Sequence, residues 1–298
     1  MNLRKLLVIP TLFFPLMLIS AVFSLQACKD KKSIPSSTTR HPVHVIQQFS
    51  FAKPPTEDIK SKKLDELSGI APARGEEEYW GHNDKGNDAE IFRFNSRGKI
   101  IQKVELKGAR NVDWEGMTSG SNGDFYIADT GDNKLRRDLY RIYKFTEPKT
   151  SAKKIKNIGS YKFKYADGKP HNCEAVFAMN DKLYLISKEQ KVKQKIFCID
   201  KLKAGETISA REVGRLDISG RVTDAAYSPE RKQLAALTEK AISFYNVAKE
   251  SDLLKPPIYS THIRFGQCEA LCYDGDYLVV TNEPGKIWRY PLEAFWGE

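Results

Sequence analysis

The sequence predicts an all-β chain folded as a five-bladed β-propeller and closed by an N-terminal strand. Three observations carry that expectation. A short motif recurs as Leu67-Ser68-Gly69-Ile70, Trp114-Glu115-Gly116-Met117, Cys173-Glu174-Ala175-Val176, Thr223-Asp224-Ala225-Ala226 and Cys268-Glu269-Ala270-Leu271, with its oxygen-bearing residues 47, 59, 50 and 45 positions apart. Recurrence at that period marks a propeller or another array. Each motif is followed by further β-rich segments, and four short strands per repeat is the plan of a propeller blade. The last repeat has only three segments before Glu298, and the isolated strand His44–Phe51 is placed to complete it, leaving no open sheet edge.

In chain order, residues 1–27 read as a secretory signal, 28–43 as a flexible tether and 44–298 as the propeller domain. Arg4 and Lys5 precede the apolar stretch Leu6–Leu25, which ends in Leu25-Gln26-Ala27-Cys28. That ending resembles the bacterial lipobox. The resemblance implies cleavage before Cys28, lipidation of that cysteine and a lipid-anchored place in the cell envelope. An uncleaved membrane anchor is the alternative, since about 20 apolar residues span a bilayer. Pro10, Pro15 and the cysteine placement favour the lipoprotein. Lys29 is not the aspartate of inner-membrane retention, so the same resemblance points to the outer membrane. The Lys, Ser, Thr and Pro that follow have little to bury and suit a tether.

The 298 residues are 41% hydrophobic and 29% charged, as in a globular chain. Removing Arg4 and Lys5 lowers the net charge from +10 to +8. Export argues against nucleic acid as the partner, and much of the excess is solvated lysine, as in Lys153-Lys154-Ile155-Lys156. The expected partners are the membrane, through the anchor, and an anionic small molecule or an envelope protein, with the chain a monomer. Cys173, Cys198, Cys268 and Cys272 allow three disulfide connectivities, and sequence does not choose among them. Cys268 and Cys272 lie about 13 Å apart along a strand at ~3.3 Å per residue, too far to bond each other. Small buried apolar side chains are the default for all four.

The second segments of the repeats are Tyr79–His82, Phe125–Ala128, Leu183–Ile186, Leu234–Leu237 and Tyr277–Val280. Third segments alternate aromatic residues, at Ile91–Phe94, Leu139–Tyr143, Ile196–Ile199, Ile242–Tyr245 and Ile287–Tyr290. Amphipathic fourth strands are expected at Ile100–Leu106, Ile158–Phe163, Val213–Ile218 and Tyr259–Phe265. A sixth blade between Glu147 and Lys169 is the alternative, but that interval lacks an acidic motif.

The first strand of each blade lines a propeller's channel, so Ser68, Glu115, Glu174, Asp224 and Glu269 form an expected ring of oxygens. Carboxylates held that close raise one another's pKa or take up a cation. A hard cation with six to eight oxygen ligands fits, and calcium tolerates irregular geometry better than magnesium. A hydrated, metal-free channel is the alternative. Gly or Ala after each acid suits the crowding of strands at the axis.

With the ring in place, the chain resembles the calcium-activated apyrases, secreted nucleoside diphosphatases with a five-bladed propeller and an axial calcium. Glu66-Leu67-Ser68 looks like that family's opening Glu-Leu-Ser, and His171-Asn172-Cys173-Glu174 is similar to its His-Glu-Ser neighbourhood. Two departures stand out: Glu115 follows a tryptophan that the family places after its glutamate, and Asp224 stands where the family uses serine. The resemblance implies the fold and the metal more than nucleotidase activity. A closer resemblance is to uncharacterised propeller lipoproteins of bacterial envelopes, through Leu67-Ser68-Gly69, His82-Asn83-Asp84, Asp113-Trp114-Glu115 and Asp129-Thr130-Gly131-Asp132-Asn133. It brings no established activity.

Loops entering the first strands and leaving the second strands should open on one mouth of the channel. Arg110, His171, Arg221 and Lys188 are candidate anion ligands there, with His82, Asn83 and Asp132 beside them. Asp84 and Asp129 are candidate bases for activating water in an apyrase- or phytase-like hydrolase of phosphate esters or anhydrides. The same residues also make ordinary Asx turns. Position twelve from Asp129 is Tyr140, so no EF-hand is present. No G-x-S-x-G, P-loop, H-E-x-x-H or G-x-G-x-x-G occurs. The expectation is therefore a calcium-binding propeller that binds a ligand at its mouth, with hydrolysis as the alternative.

Overall fold

The computed structural model describes residues 57–59, 61–189, 193–263 and 266–296. Strand β1 (Glu57–Asp58) comes first, followed by the meander β2 (Leu67–Pro72), β3 (Glu78–Asn83), β4 (Glu90–Asn95) and β5 (Ile100–Leu106), each paired antiparallel with the next. The residue pattern explains the layering. Along β5, Gln102, Val104 and Leu106 are buried while Ile101, Lys103 and Glu105 are exposed, the alternation of an outer strand. In β2 the run Leu67–Ala71 is buried throughout, as an innermost strand must be. The β4–β5 turn needs Gly98, whose φ is 73° and whose Cα abuts the backbone of Asp58.

The second set is β6 (Trp114–Ser119), β7 (Asp124–Asp129), β8 (Tyr140–Thr146) and, after an excursion, β10 (Gly159–Tyr165). The excursion is β9 (Lys154–Ile155), which adds to the first set in parallel with β5. Next come β11 (Cys173–Met179), β12 (Lys182–Ser187), β13 (Lys195–Ile199) and β14 (Thr207–Arg215). Then follow β15 (Val222–Ser228), β16 (Gln233–Thr238), β17 (Ala241–Asn246) and β18 (Tyr259–His262). The last set is β19 (Cys268–Asp274), β20 (Tyr277–Asn282) and β21 (Lys286–Pro291), with β1 on its outer edge. Strands β2, β6, β11, β15 and β19 neighbour one another in a closed cycle. The fold is a β-propeller, and five apolar clusters fill the space between its sheets.

Four details bear on those expectations. The described strand that pairs with β21 is Glu57–Asp58, between His44–Phe51 and the first motif; His44–Phe51 lies outside the described residues. The interval between Glu147 and Lys169 supplies β9 and β10 to existing sets instead of a further blade among the described residues. Strand β14 begins at Thr207, earlier than expected, and runs parallel to β10. That pairing fuses the outer edges of two sets into one eight-stranded sheet. Finally, all four cysteines from Cys173 onward are free and buried. The signal, the tether and Cys28 lie outside the described residues.

Candidate cation site at the channel mouth

Every innermost strand carries a register shift at its motif. Pairing skips Ser68 between Leu67 and Gly69, Glu115 and Gly116 between Trp114 and Met117, Glu174 between Cys173 and Ala175, and Glu269 between Cys268 and Ala270. A bulge of this kind leaves one residue out of the ladder and re-aims its side chain. In β15 the shift falls between Val222 and Asp224, so the skipped residue is Thr223. Thr223, not Asp224, therefore holds the register position of the other ring residues, while Asp224 holds that of Gly69, Ala175 and Ala270.

The hydrogen bonds agree with this assignment. Asp224 is fully buried; its Oδ1 accepts Ala225 N–H at 2.8 Å, and its Oδ2 accepts Leu271 N–H of the next set at 2.9 Å. It fastens β15 to β19. Burial pushes its carboxyl up, partly offset by those two amides, with Glu269 and Glu174 adding to the rise. The Thr223 hydroxyl, in a residue only 2% exposed, has no hydrogen-bond partner among the described residues. The sequence signal was present as hydroxyl-x at Leu67-Ser68-Gly69 and Val222-Thr223-Asp224. An acid beside the threonine shifted the alignment by one.

Crowding at the axis is as expected. A Cβ on Gly69 would come within 2.6 Å of Glu115 O, and one on Gly116 within 2.8 Å of Val176 N.

The mouth is a cavity of about 260 Å³ lined by Ser68, Glu115, Glu174 and Glu269 from the motifs, with Asp84, Lys85 and Lys188 from loops that leave second strands. The loops converge on one face, as expected. Ser68 Oγ donates to Glu115 Oε2 at 3.3 Å. Glu174 accepts Asn172 Nδ2 at 2.7 Å on Oε1 and Lys188 Nζ at 3.1 Å on Oε2. Carboxylate oxygens of Asp84, Asp113 and Glu115 all lie within 4.8 Å of one another. Lys85 Nζ sits 3.2 Å from Asp84 and 3.4 Å from Asp113. Gly131 backs this group, and a Cβ there would collide with the carboxylates of Glu115 and Asp113.

Electrostatics follow from the burial of so many acids. Desolvation pushes Glu115 well above the carboxylate range, and the charges of Glu174, Asp84 and Asp113 push the same way. Burial lifts Asp113 to about 6, with Lys85 opposing. Burial also lifts Glu269 to about 7, eased by Lys188 and a hydrogen bond from Gln267 but reinforced by Glu174 and Glu283. The mouth is short of positive charge.

The other expected site residues lie off the mouth. His171 is packed against Tyr165 and Phe197, with Nε2 2.9 Å from Asp167 Oδ2. Arg221 is paired with Glu239. Arg110 is exposed, and its backbone is fixed by Tyr143 and Trp114. Asp129 is fully enclosed, with Oδ1 2.9 Å from Arg137 Nη2 and accepting Asp113 N–H at 3.1 Å. Asp132 accepts the backbone N–H groups of Arg136 at 2.9 Å and Arg137 at 2.8 Å, plus the Tyr140 hydroxyl. Asn83 bridges Lys63 O and Glu66 N–H, tying down the first loop. His82 is buried edge-on to Trp114; desolvation lowers its pKa to about 4, so it is neutral near pH 7. Asp84 alone of the two expected bases is at the mouth, its side chain 32% exposed. Asp113 enters with Glu115, on the loop before β6, whereas the sequence did not single out Lys85. Its proximity depends on how the loops before β6 and after β3 meet: Asn111 Nδ2 donates to Asp84 O at 2.8 Å.

No protein-family model matches the sequence, and no curated protein matches it. Among solved structures, the chain is similar to a PQQ-bound aldose sugar dehydrogenase from Streptomyces coelicolor, at 11% identity over 80% of this chain and 98% of that one, with a TM-score of 0.45. It is also similar to U3-55K, at 12% identity over 75% of this chain and 64% of that one, with a TM-score of 0.40. A chain of the mitotic checkpoint complex shares 12% identity over 74% of this chain and 60% of that one, with a TM-score of 0.37. At these values the similarities carry no argument about activity.

Proposed function

We propose that this chain is an envelope lipoprotein whose propeller binds a divalent cation, calcium by preference, at the acidic mouth of its channel. The bound cation then presents positive charge to an anionic ligand or to an acidic surface of an envelope protein. The single observation behind this reading is the charge imbalance of the mouth. Glu66, Asp84, Glu115, Glu174, Glu269 and Glu283 line it against only Lys85 and Lys188.

The donor set fits a hard cation. The candidate ligands there are carboxylate, hydroxyl and amide oxygens, with no thiol or imidazole among the lining residues. Thr223 adds an orphaned buried hydroxyl at the equivalent register position. Glu115 belongs to both the ring and the trio with Asp84 and Asp113, so it is the ligand on which the reading depends most. The ring set is Ser68, Glu115, Glu174, Thr223 and Glu269, with Asp224 as the buttress behind it. When bound, the cation supplies charge neutralisation and a point of attachment for an anion; this chain's own residues hold it and keep the strands in register.

Lipidation at Cys28, an outer-membrane location and a monomeric state complete the proposal on the strength of the sequence features alone. The hydrolytic alternative has less support. Of its two candidate bases, Asp129 is closed off with Arg137, and only Asp84 reaches the mouth. The deciding experiment is calcium titration of the chelator-treated full chain by calorimetry, alongside Glu115→Gln. Saturable binding that the variant weakens supports the site; no heat in either protein refutes it. Release of phosphate from nucleotides and other phosphate esters by the calcium-loaded protein, abolished by Asp84→Asn, would favour the hydrolase.

A further inference from the structure

We propose that Lys188 is a tethered competitor for the cation site: its ammonium holds the ring when no metal is bound and swings out when one enters. The inference rests on the cation-site reading above and adds to it a residue that sets the affinity.

Lys188 directly follows β12, and its backbone N–H donates to Asn172 O at 2.8 Å, which fixes the base of its side chain beside the ring. Its Nζ lies 3.1 Å from Glu174 Oε2, and only 17% of its side chain is exposed. Asn172 holds the other oxygen of the same carboxylate at 2.7 Å, so Glu174 already has both oxygens engaged by the chain's own donors. The ring thus already holds one cation.

A tethered ammonium brings one positive charge, and a divalent ion brings two. The two cannot share the ring cheaply, because the ligand that anchors Lys188 is one the ion needs. Lysine suits the part: a compact point charge on a flexible four-carbon stem reaches solvent by bond rotation alone. Such a residue limits mutual repulsion among the acids in the empty site and lowers affinity for the incoming ion. Lys85 differs. Its side chain is half exposed, and its pairs with Asp84 and Asp113 are correspondingly screened.

Calcium titration of the full chain by calorimetry, in wild type and in Lys188→Met, tests the role. Methionine keeps the apolar stem and removes the charge. The expected result is a Kd at least about tenfold lower in the variant, equal to ~1.4 kcal/mol, with a lower melting temperature in chelator. An unchanged Kd with intact binding overturns the competitor and leaves the cation site standing. Absence of binding in both proteins overturns the cation-site reading itself. A wild-type measurement covers the case of a variant that does not fold. Amine acylation read by mass spectrometry should find Lys188 slow to react in chelator and several-fold faster with calcium, while exposed Lys169 stays constant. Calcium binding without any gain in Lys188 reactivity overturns the proposal.

Discussion

Replacing Thr223 by valine exchanges a hydroxyl for a methyl group at nearly constant volume, and the cation-site proposal gives that change opposite signs with and without metal. Thr223 is 2% exposed and its hydroxyl has no partner among the described residues. An unmade hydrogen bond on a buried hydroxyl costs about 1–3 kcal/mol. Valine removes that cost, so in chelator the variant should melt higher than wild type. At roughly 2–4 °C per kcal/mol for a domain of this size, the gain is about 2–12 °C. Calcium should reverse the order. Ligand at about 100 times Kd stabilises the wild type by ~2.7 kcal/mol, whereas the variant has lost a ring oxygen and gains less. The assay is a pair of thermal melts for each protein, in chelator and in excess calcium. A variant that melts below wild type in chelator and shows the full calcium shift would refute both the orphaned hydroxyl and its place in the ring.

Other expectations follow from neighbouring residues. Glu269 has a carboxyl raised from 4.5 to about 7, so between those values the folded chain keeps a proton that the unfolded chain has shed. That contribution to stability is complete at low pH and is lost as pH rises through about 7. Metal-free melting temperature should therefore fall on going from about pH 5.5 to about pH 8, and Glu269→Gln should flatten the slope; a slope unchanged by the variant refutes the assignment. Asp224→Ala removes two buried backbone contacts, one of them across to β19, and should cost about 2–4 kcal/mol by denaturant titration, with or without calcium. Gly131→Ala places a methyl group against Glu115 and Asp113, and calorimetry should show weakened calcium binding at near-normal stability. Asp129→Asn leaves Arg137 with a weakened buried partner and should lower stability by roughly 3 kcal/mol in chemical denaturation without acting through the mouth.

What the sequence disclosed was whatever repeats. The motif period and the aromatic third strands recur in all five repeats, and a Gly or Ala follows the ring residue in four of them, so the copies reinforce one another. Features that occur once were harder to see. Two-residue strands such as Glu57–Asp58 and Lys154–Ile155 bury too little to impose alternation on the sequence. The shift from Asp224 to Thr223 needs the ladder register, because a bulge moves by one residue without changing composition. Asp84 and Lys85 meet Asp113 and Glu115 only through contacts between loops of different blades. His171 and Arg221 looked like anion ligands by residue type, but each already faces an acid, Asp167 and Glu239 respectively.

The parallel join between β10 and β14 also bears on how the ring comes apart. Two blades share a backbone ladder at their rims here, over Lys162–Tyr165 and Thr207–Ala210, longer than the two-residue join of β9 to β5. Glu115 and Glu174 stand at the inner ends of those same two blades. Amide exchange should find this pair of blades opening as one unit. Two of the six acids at the mouth, Glu115 and Glu174, are thus mounted on one continuous sheet, while Glu66, Asp84, Glu269 and Glu283 belong to the first and last sets.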